Sequence, residues 1–155
     1  MIRPLKASDR APIEEMVRAT GVFVEEEVAV ALELVDHALA SATQTDYIFF
    51  VFDDGATRGY ACCGQTPMTE ATWDLYWIVV HPNAFGKGVG QALTRATEEY
   101  IQQHGGKLII VETSSKPSYD RTRKFYVDAG YVQLSEIANY YRANDNLVVY
   151  GKYFR

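Results

Sequence analysis

The sequence predicts a mixed α/β fold: one sheet with parallel and antiparallel strands, and helices on both of its faces. Three observations lead there. Apolar residues recur at helical spacing after Val24 and again after Val89, strand-like runs lie between and beyond these stretches, and the central runs follow one another across short turns as an antiparallel meander. With 155 residues, 48% hydrophobic and 23% charged, the chain can bury one sizeable core and is too short for two ordinary domains, so residues 1–155 read as a single domain.

Met1 to Pro4 reads as a short first strand. Ser8 or Asp9 can cap a helix that runs to about Thr20, where Gly21 stops it. A second helix follows at once, with Val24, Val28, Ala31, Val35 and Leu39 forming one apolar stripe. Glu25, Glu26 and Glu27 crowd its first turn and are read as partners of the helix dipole, the alternative being that one of them faces a cationic substrate. Strands then run over Tyr47 to Asp53, Thr57 to about Gly64 and Thr72 to His81, with a turn at Asp53-Asp54-Gly55 and a loop through Pro67. Helical spacing returns with Val89, Leu93, Ala96 and Tyr100 and stops at Gly105-Gly106. Lys107 to Thr113 is almost continuously apolar and predicts a central strand buried on both faces. A helix from about Tyr119 to Ala129, closed by Gly130, precedes strands at Tyr131 to Ile137 and Leu147 to Phe154. The order is β-α-α-β-β-β-α-β-α-β-β.

Charge and cysteine usage narrow the function. A formal net charge of −5 leaves no broad basic surface, which argues against nucleic acid or an anionic membrane as a partner and suits a cationic or zwitterionic substrate. Cys62 and Cys63 are strand neighbours pointing to opposite faces, so they predict no disulfide and a reducing compartment. The N-terminus shows no signal-peptide core and no stretch is apolar for about 18 residues, so a soluble, cytoplasmic protein is expected.

The segment from Ile78, Val79 and Val80 through His81-Pro82 to Phe85-Gly86-Lys87-Gly88-Val89-Gly90-Gln91 is a strand, a proline-marked turn, glycines at alternate positions and then a helix. Glycines there let successive N–H groups point inward, and the helix N-terminus adds unpaired donors, which together make a pyrophosphate cradle. Two other phosphate motifs fail on spacing. Gly-x-Gly-x-x-Gly is absent, and no Gly-Lys-Ser/Thr ends a P-loop.

This segment resembles the acetyl-coenzyme A motif of the GNAT superfamily of N-acetyltransferases: a strand ending in Val-x-Pro, then Arg/Gln-x-x-Gly-x-Gly/Ala. Phe85 stands where the family usually carries arginine or glutamine. A second motif, Thr122-Arg123-Lys124-Phe125-Tyr126-Val127-Asp128-Ala129-Gly130-Tyr131, is similar to the family's helix that sets a tyrosine near the coenzyme's sulfur, and the element order is also the family's. The resemblance implies a GNAT-like fold over nearly the whole chain. It implies that Gly86, Lys87, Gly88, Val89, Gly90 and Gln91 hold the pyrophosphate, that Ile78 to Val80 pair with the pantetheine arm, and that the N–H near Val79 receives the oxyanion. Tyr126 becomes the general acid toward the departing thiolate. Tyr119 occupies the position where many members have an asparagine touching the coenzyme.

An alkyl amine with a pKa of about 10.4 is almost wholly protonated at neutral pH and cannot attack a thioester until it loses a proton. The resemblance offers two carboxylates for that step, Asp74 on the fourth strand first and Glu112 on the fifth second. His37, His81 and His104 are scattered without metal-ligand spacing and read as surface or turn residues, so no metal is expected. Cys62 and Cys63 read as packing residues. Tyr140, Tyr141, Tyr150 and Tyr153 suit strand packing and a homodimer interface equally. The reading is an N-acetyltransferase that moves acetyl from acetyl-coenzyme A to a small-molecule amine or amino acid in a ternary complex. Its alternatives are a peptide or protein acetyltransferase and a non-catalytic acyl-coenzyme A sensor, which needs the glycine loop but neither Tyr126 nor a carboxylate.

Overall fold

The computed structural model describes residues 1–155. The strands are β1 (Ile2–Arg3), β2 (Ile48–Asp53), β3 (Thr57–Gln65), β4 (Thr72–Val80), β5 (Leu108–Ser114), β6 (Val132–Arg142) and β7 (Asp145–Tyr153). The helices are α1 (Arg10–Ala19), α2 (Glu25–Ala40), α3 (Val89–Gln103) and α4 (Asp120–Asp128), so the order in the chain is the predicted one. All seven strands form one sheet in the order β1-β2-β3-β4-β5-β7-β6. Every neighbouring pair is antiparallel except β4 and β5, which are parallel.

Two cores lie on opposite faces of the sheet, because side chains alternate along each strand. Ile13, Met16 and Val17 of α1 and Val28, Ala31 and Val35 of α2 pack on Phe49, Val51, Tyr60, Cys62 and Val79. Leu93 and Ile101 of α3 and Tyr126 of α4 pack on Ala61, Cys63, Trp73, Leu75, Ile109 and Val111. Adjacent Cys62 and Cys63 thus belong to different cores, and both are free thiols, as their neighbouring positions on a strand predict.

The structure departs from the sequence reading in three places. Asp9 does not cap α1: its side chain makes no bond to that helix's first turn. It is buried instead, bonded by two Arg3 nitrogens at 2.8 Å each, the Lys6 N–H and the Thr57 hydroxyl. These donors outweigh the cost of burying the charge and hold its carboxyl below the usual range. Second, β5 is not buried along both faces, since Glu112 is exposed. Third, the last two strands are longer than predicted: β6 runs on to Arg142 and β7 starts at Asp145, with an irregularity between Ile137 and Arg142, and Asn139 and Asn144 take the left-handed backbone that asparagine tolerates.

Candidate active site

The site is built around a defect in the sheet. Strands β4 and β5 share only three rungs, Thr72 with Leu108, Trp73 with Ile109 and Asp74 with Ile110. Beyond Asp74 they part, while β4 stays paired with β3 through Val80 and β5 stays paired with β7 through Ser114. A cause is visible in β4. Leu75 sits opposite Cys63 and Trp77 opposite Cys62, so Tyr76 is an extra residue, a bulge that bends the strand. The facing edges of β4 and β5 therefore carry backbone groups without a strand partner, and Ile78, Val79 and Val80 line this opening.

At the wide end of the opening, β4 runs into the glycine loop. Gly86 and Gly88 have φ of +74° and +79°, the left-handed region, and an added Cβ would meet nothing within 4 Å at either. Gly88 is the N-cap of α3, and the first helical bond runs from the Ala92 N–H to the Gly88 carbonyl. The N–H groups of Val89, Gly90 and Gln91 are thereby left without helical partners, as at every helix start. They are joined by Lys87 on the loop, an anion cradle that fits a diphosphate. Gly90 has a second duty: a Cβ there would lie 3.0 Å from Phe125 of α4.

Helix α4 packs on the same side of the sheet as α3. Tyr126 is buried in the core on the α3 side, its ring 5.8 Å from that of Tyr131 and 6.0 Å from that of Tyr150, and burial pushes its pKa up. The turn leading into α4 is fixed from both sides. Arg123 donates to the Ser114 and Lys116 carbonyls, and buried Asp145 accepts from the Ser114 hydroxyl and from Arg142.

The other face is lined by side chains that sequence reasoning did not gather. Phe23, from the α1–α2 connection, lies 5.1 Å from the Trp77 ring and 6.5 Å edge-on from Tyr119. Burial and the carboxylate of Glu27 raise the pKa of Tyr119, with Asp145 and Tyr141 adding to the effect. Glu27 also receives the Val24 N–H as the third residue of the helix, so it serves as helix-start partner and as a wall of this face. Burial first, and then Glu112, push Tyr141 up to about 12. No spacing rule could have assembled these groups, because they come from separate elements.

The two candidate carboxylates stand in different positions. Asp74 occupies the last closed rung and accepts the Thr66 hydroxyl at 2.7 Å. Glu112 lies two residues past the last rung, exposed, on a stretch of β5 bonded only to β7. Tyr126 thus stands in the core on the α3 side of the sheet, and Glu112 is exposed on β5 past the point where β4 and β5 part. Arg121, in the first turn of α4, was also missed: its guanidinium sits 4.6 Å from the centre of the Phe85 ring.

Other groups are accounted for locally. His37 meets Asp46 and His81 meets Glu15, each on the surface, while His104 bonds the Tyr100 carbonyl. No three His, Cys, Asp or Glu side chains come together as a metal site. Burial pushes the Cys63 thiol up to about 12 and Cys62 well above its ordinary value. One surface cavity, about 580 Å³, lies among Arg3, Asp9, Glu15, Arg58 and His81, whose charges are mostly paired with one another. A smaller one, about 360 Å³, adjoins the glycine loop at Lys87, Asn83 and Arg58. No helix is long and apolar enough to cross a membrane.

Known proteins share this architecture. No curated protein matches the sequence. A GNAT-family protein of Desulfovibrio desulfuricans is 37% identical, with a TM-score of 0.91 over 99% of this chain and 98% of the other. The ribosomal-protein-S18-alanine N-acetyltransferase of Escherichia coli is 17% identical, with a TM-score of 0.74 over 97% of this chain and 91% of its own. The yncA protein of Salmonella typhimurium, solved with acetyl-coenzyme A, is likewise 17% identical with a TM-score of 0.74, over 100% and 94% of the two chains. These last two likenesses speak for the fold alone. The sequence pattern of the Acetyltransferase (GNAT) family matches residues 13–131, and with it the chain belongs to that family.

Proposed function

We propose that this protein is a single-domain, cytoplasmic N-acetyltransferase that takes acetyl from acetyl-coenzyme A and transfers it directly to a primary amine, a small molecule or amino acid being the acceptor. One observation carries the reading. The parted edges of β4 and β5 end on a glycine loop with free N–H groups, which suits a strand-like arm tipped by a diphosphate. The coenzyme would supply an activated acetyl thioester. Gly86 to Gly90, Lys87 and Gln91 would hold its diphosphate, and Ile78, Val79 and Val80 would pair with its arm.

In this reading the chain's own groups handle the protons. Glu112 takes the proton that the incoming ammonium must lose, and its place beyond the last rung favours it over Asp74, which is engaged by Thr66. The backbone N–H near Val79 donates to the carbonyl oxygen as it gathers negative charge. Tyr126 donates to sulfur as the C–S bond breaks. Burial keeps the Tyr126 phenol protonated through the working pH range and makes full transfer of its proton costly, so a modest rate factor is expected. The aromatic wall of Phe23, Trp77, Tyr119 and Tyr141, with Glu27 and Glu112 at its margin, supports a cationic acceptor.

A screen of amines with acetyl-coenzyme A, read by thermal shift and by mass of the product, tests this. Acetylation of one or more amines supports the reading. Binding of acetyl-coenzyme A with no acetylation of amines or of N-terminal and lysine peptides would leave a sensor.

A further inference from the structure

Helix α4 carries three basic residues near its start, and two of them are spoken for. Arg123 bonds Asp120 and the carbonyls of Ser114 and Lys116, and Lys124 pairs with Asp128 at 2.6 Å. Arg121 meets no carboxylate. Its guanidinium rests instead on the face of Phe85, the residue directly before Gly86. One helical turn further along the same face, Phe125 packs on Gly90 at the far end of the glycine loop. Helix α4 therefore meets the loop at both of its ends, and its one unpaired cation is seated on the residue that opens the loop.

An arginine on an aromatic face keeps its N–H fork pointing outward in the ring plane, free to bind an anion. Phe85 is 40% exposed, so the stack is open to solvent rather than a core contact. The ring restricts a long, otherwise mobile side chain, which reduces the entropy lost when the fork closes on a ligand. With Lys87 on the loop and Arg121 over Phe85, cations come to the glycine loop from two separate elements.

We infer that Arg121, seated on Phe85, is a phosphate-binding residue for the coenzyme, closing the glycine loop from the side of α4. This rests on the function proposed above and extends it to a residue and an aromatic seat that the glycine spacing does not reveal. Charge-assisted hydrogen bonds are worth about 1.5–3 kcal/mol, so R121A should weaken coenzyme A binding by about tenfold or more. R121K, which keeps the charge but not the planar fork, should recover part of it.

The test is calorimetric titration of wild type, R121A, R121K, F85L and the R121A/F85L double variant with coenzyme A, 3′-dephospho-coenzyme A and S-acetylpantetheine. The inference expects a loss in R121A for coenzyme A and none for S-acetylpantetheine, which has no phosphate. If 3′-dephospho-coenzyme A shows the same loss, the contact is with the diphosphate; if it shows none, the contact is with the 3′-phosphate. F85L should lose about twofold to fivefold alone, the value of an exposed cation–π stack, and nothing further in the R121A background. Unchanged affinity in R121A, or an equal loss for S-acetylpantetheine, overturns the inference. An additional full loss from F85L in the R121A background overturns the role of the aromatic seat. Failure of the wild type to bind coenzyme A at all would instead overturn the proposed function.

Discussion

The two sides of the β4–β5 opening are made of different material. The glycine-loop side is almost all backbone: left-handed glycines, a helix start and the unpaired edge of one strand, drawn from a single continuous segment. The opposite side is almost all side chain, with Phe23 from a connection, Glu27 from α2, Trp77 from β4, Glu112 from β5, Tyr119 from the turn before α4 and Tyr141 from β6. A backbone-built site tolerates few changes because the donors are fixed by φ and ψ. A wall of side chains can be exchanged residue by residue, so in the proposed function it is the side on which acceptor choice can vary without loss of the coenzyme.

That contrast can be broken, and the largest effect should come from the backbone side. Gly88→Val forces a β-branched residue to φ +79°, where the strain is of order 1–2 kcal/mol, and tilts the N–H groups of α3 away from the ligand. With two or more charge-assisted bonds lost, the Kd for acetyl-coenzyme A should rise by more than about a hundredfold, measured by calorimetry on protein whose circular dichroism is unchanged. Gly90 is the poorer choice, since a side chain there would press on Phe125 and mix binding with packing.

Next in size is Tyr126→Phe, which keeps the ring among Phe125, Tyr131 and Tyr150 and removes the hydroxyl. Turnover should fall about tenfold to a hundredfold with coenzyme affinity unchanged; full turnover would make Tyr126 a packing residue only. Glu112→Gln should slow transfer by about tenfold at pH 7 and recover as pH rises toward the amine's pKa of about 10.4, where free amine no longer needs a base. Asp74→Asn should show a smaller loss without that recovery. The reverse ranking would return the base to β4.

Smaller still, Phe23→Ala should raise the acceptor KM several-fold while leaving coenzyme binding alone, because its ring packs on Trp77, Tyr119 and the core under α1 and α2 rather than on the glycine loop. An equal loss in coenzyme affinity would show that the two sides are not separable. No effect at all is expected from thiol alkylation at pH 8, because burial keeps Cys62 and Cys63 protonated and inaccessible in the folded chain. Rapid inactivation would point to a covalent acetyl carrier and against direct transfer.

How much of this was legible beforehand follows from the same contrast. The strand, glycine turn and helix start from Ile78 to Gln91 were readable because three glycines, a proline and a helix stripe lie within one short segment, and the end of α4 because Gly130 follows it. Asp9 was misread as a helix cap because its true partner, Arg3, is in another element, and proximity in sequence says nothing of a guanidinium folded back across the chain. How Asp74 and Glu112 sit relative to the gap depends on where β4 and β5 part, beside a bulge at Tyr76 that no periodicity marks. Arg121 carried only a faint signal, its spacing of four from Phe125. Its ring partner lies 36 positions earlier in the chain, before α3 and β5.

Three rungs are a thin weld between two half-sheets, one carrying β1 to β4 and the other β5 to β7. A ligand that lies between the parted edges would act as a splint, adding backbone bonds where the sheet has none of its own. By mass action it would stabilise the folded chain by about 2.7 kcal/mol at a hundred times its Kd. The amides facing the gap, among those of Leu75 to Val80 and Val111 to Ser114, should exchange fastest within the sheet when the gap is open and slow most when it is filled, so that release of such a ligand would leave the protein briefly looser at its own seam.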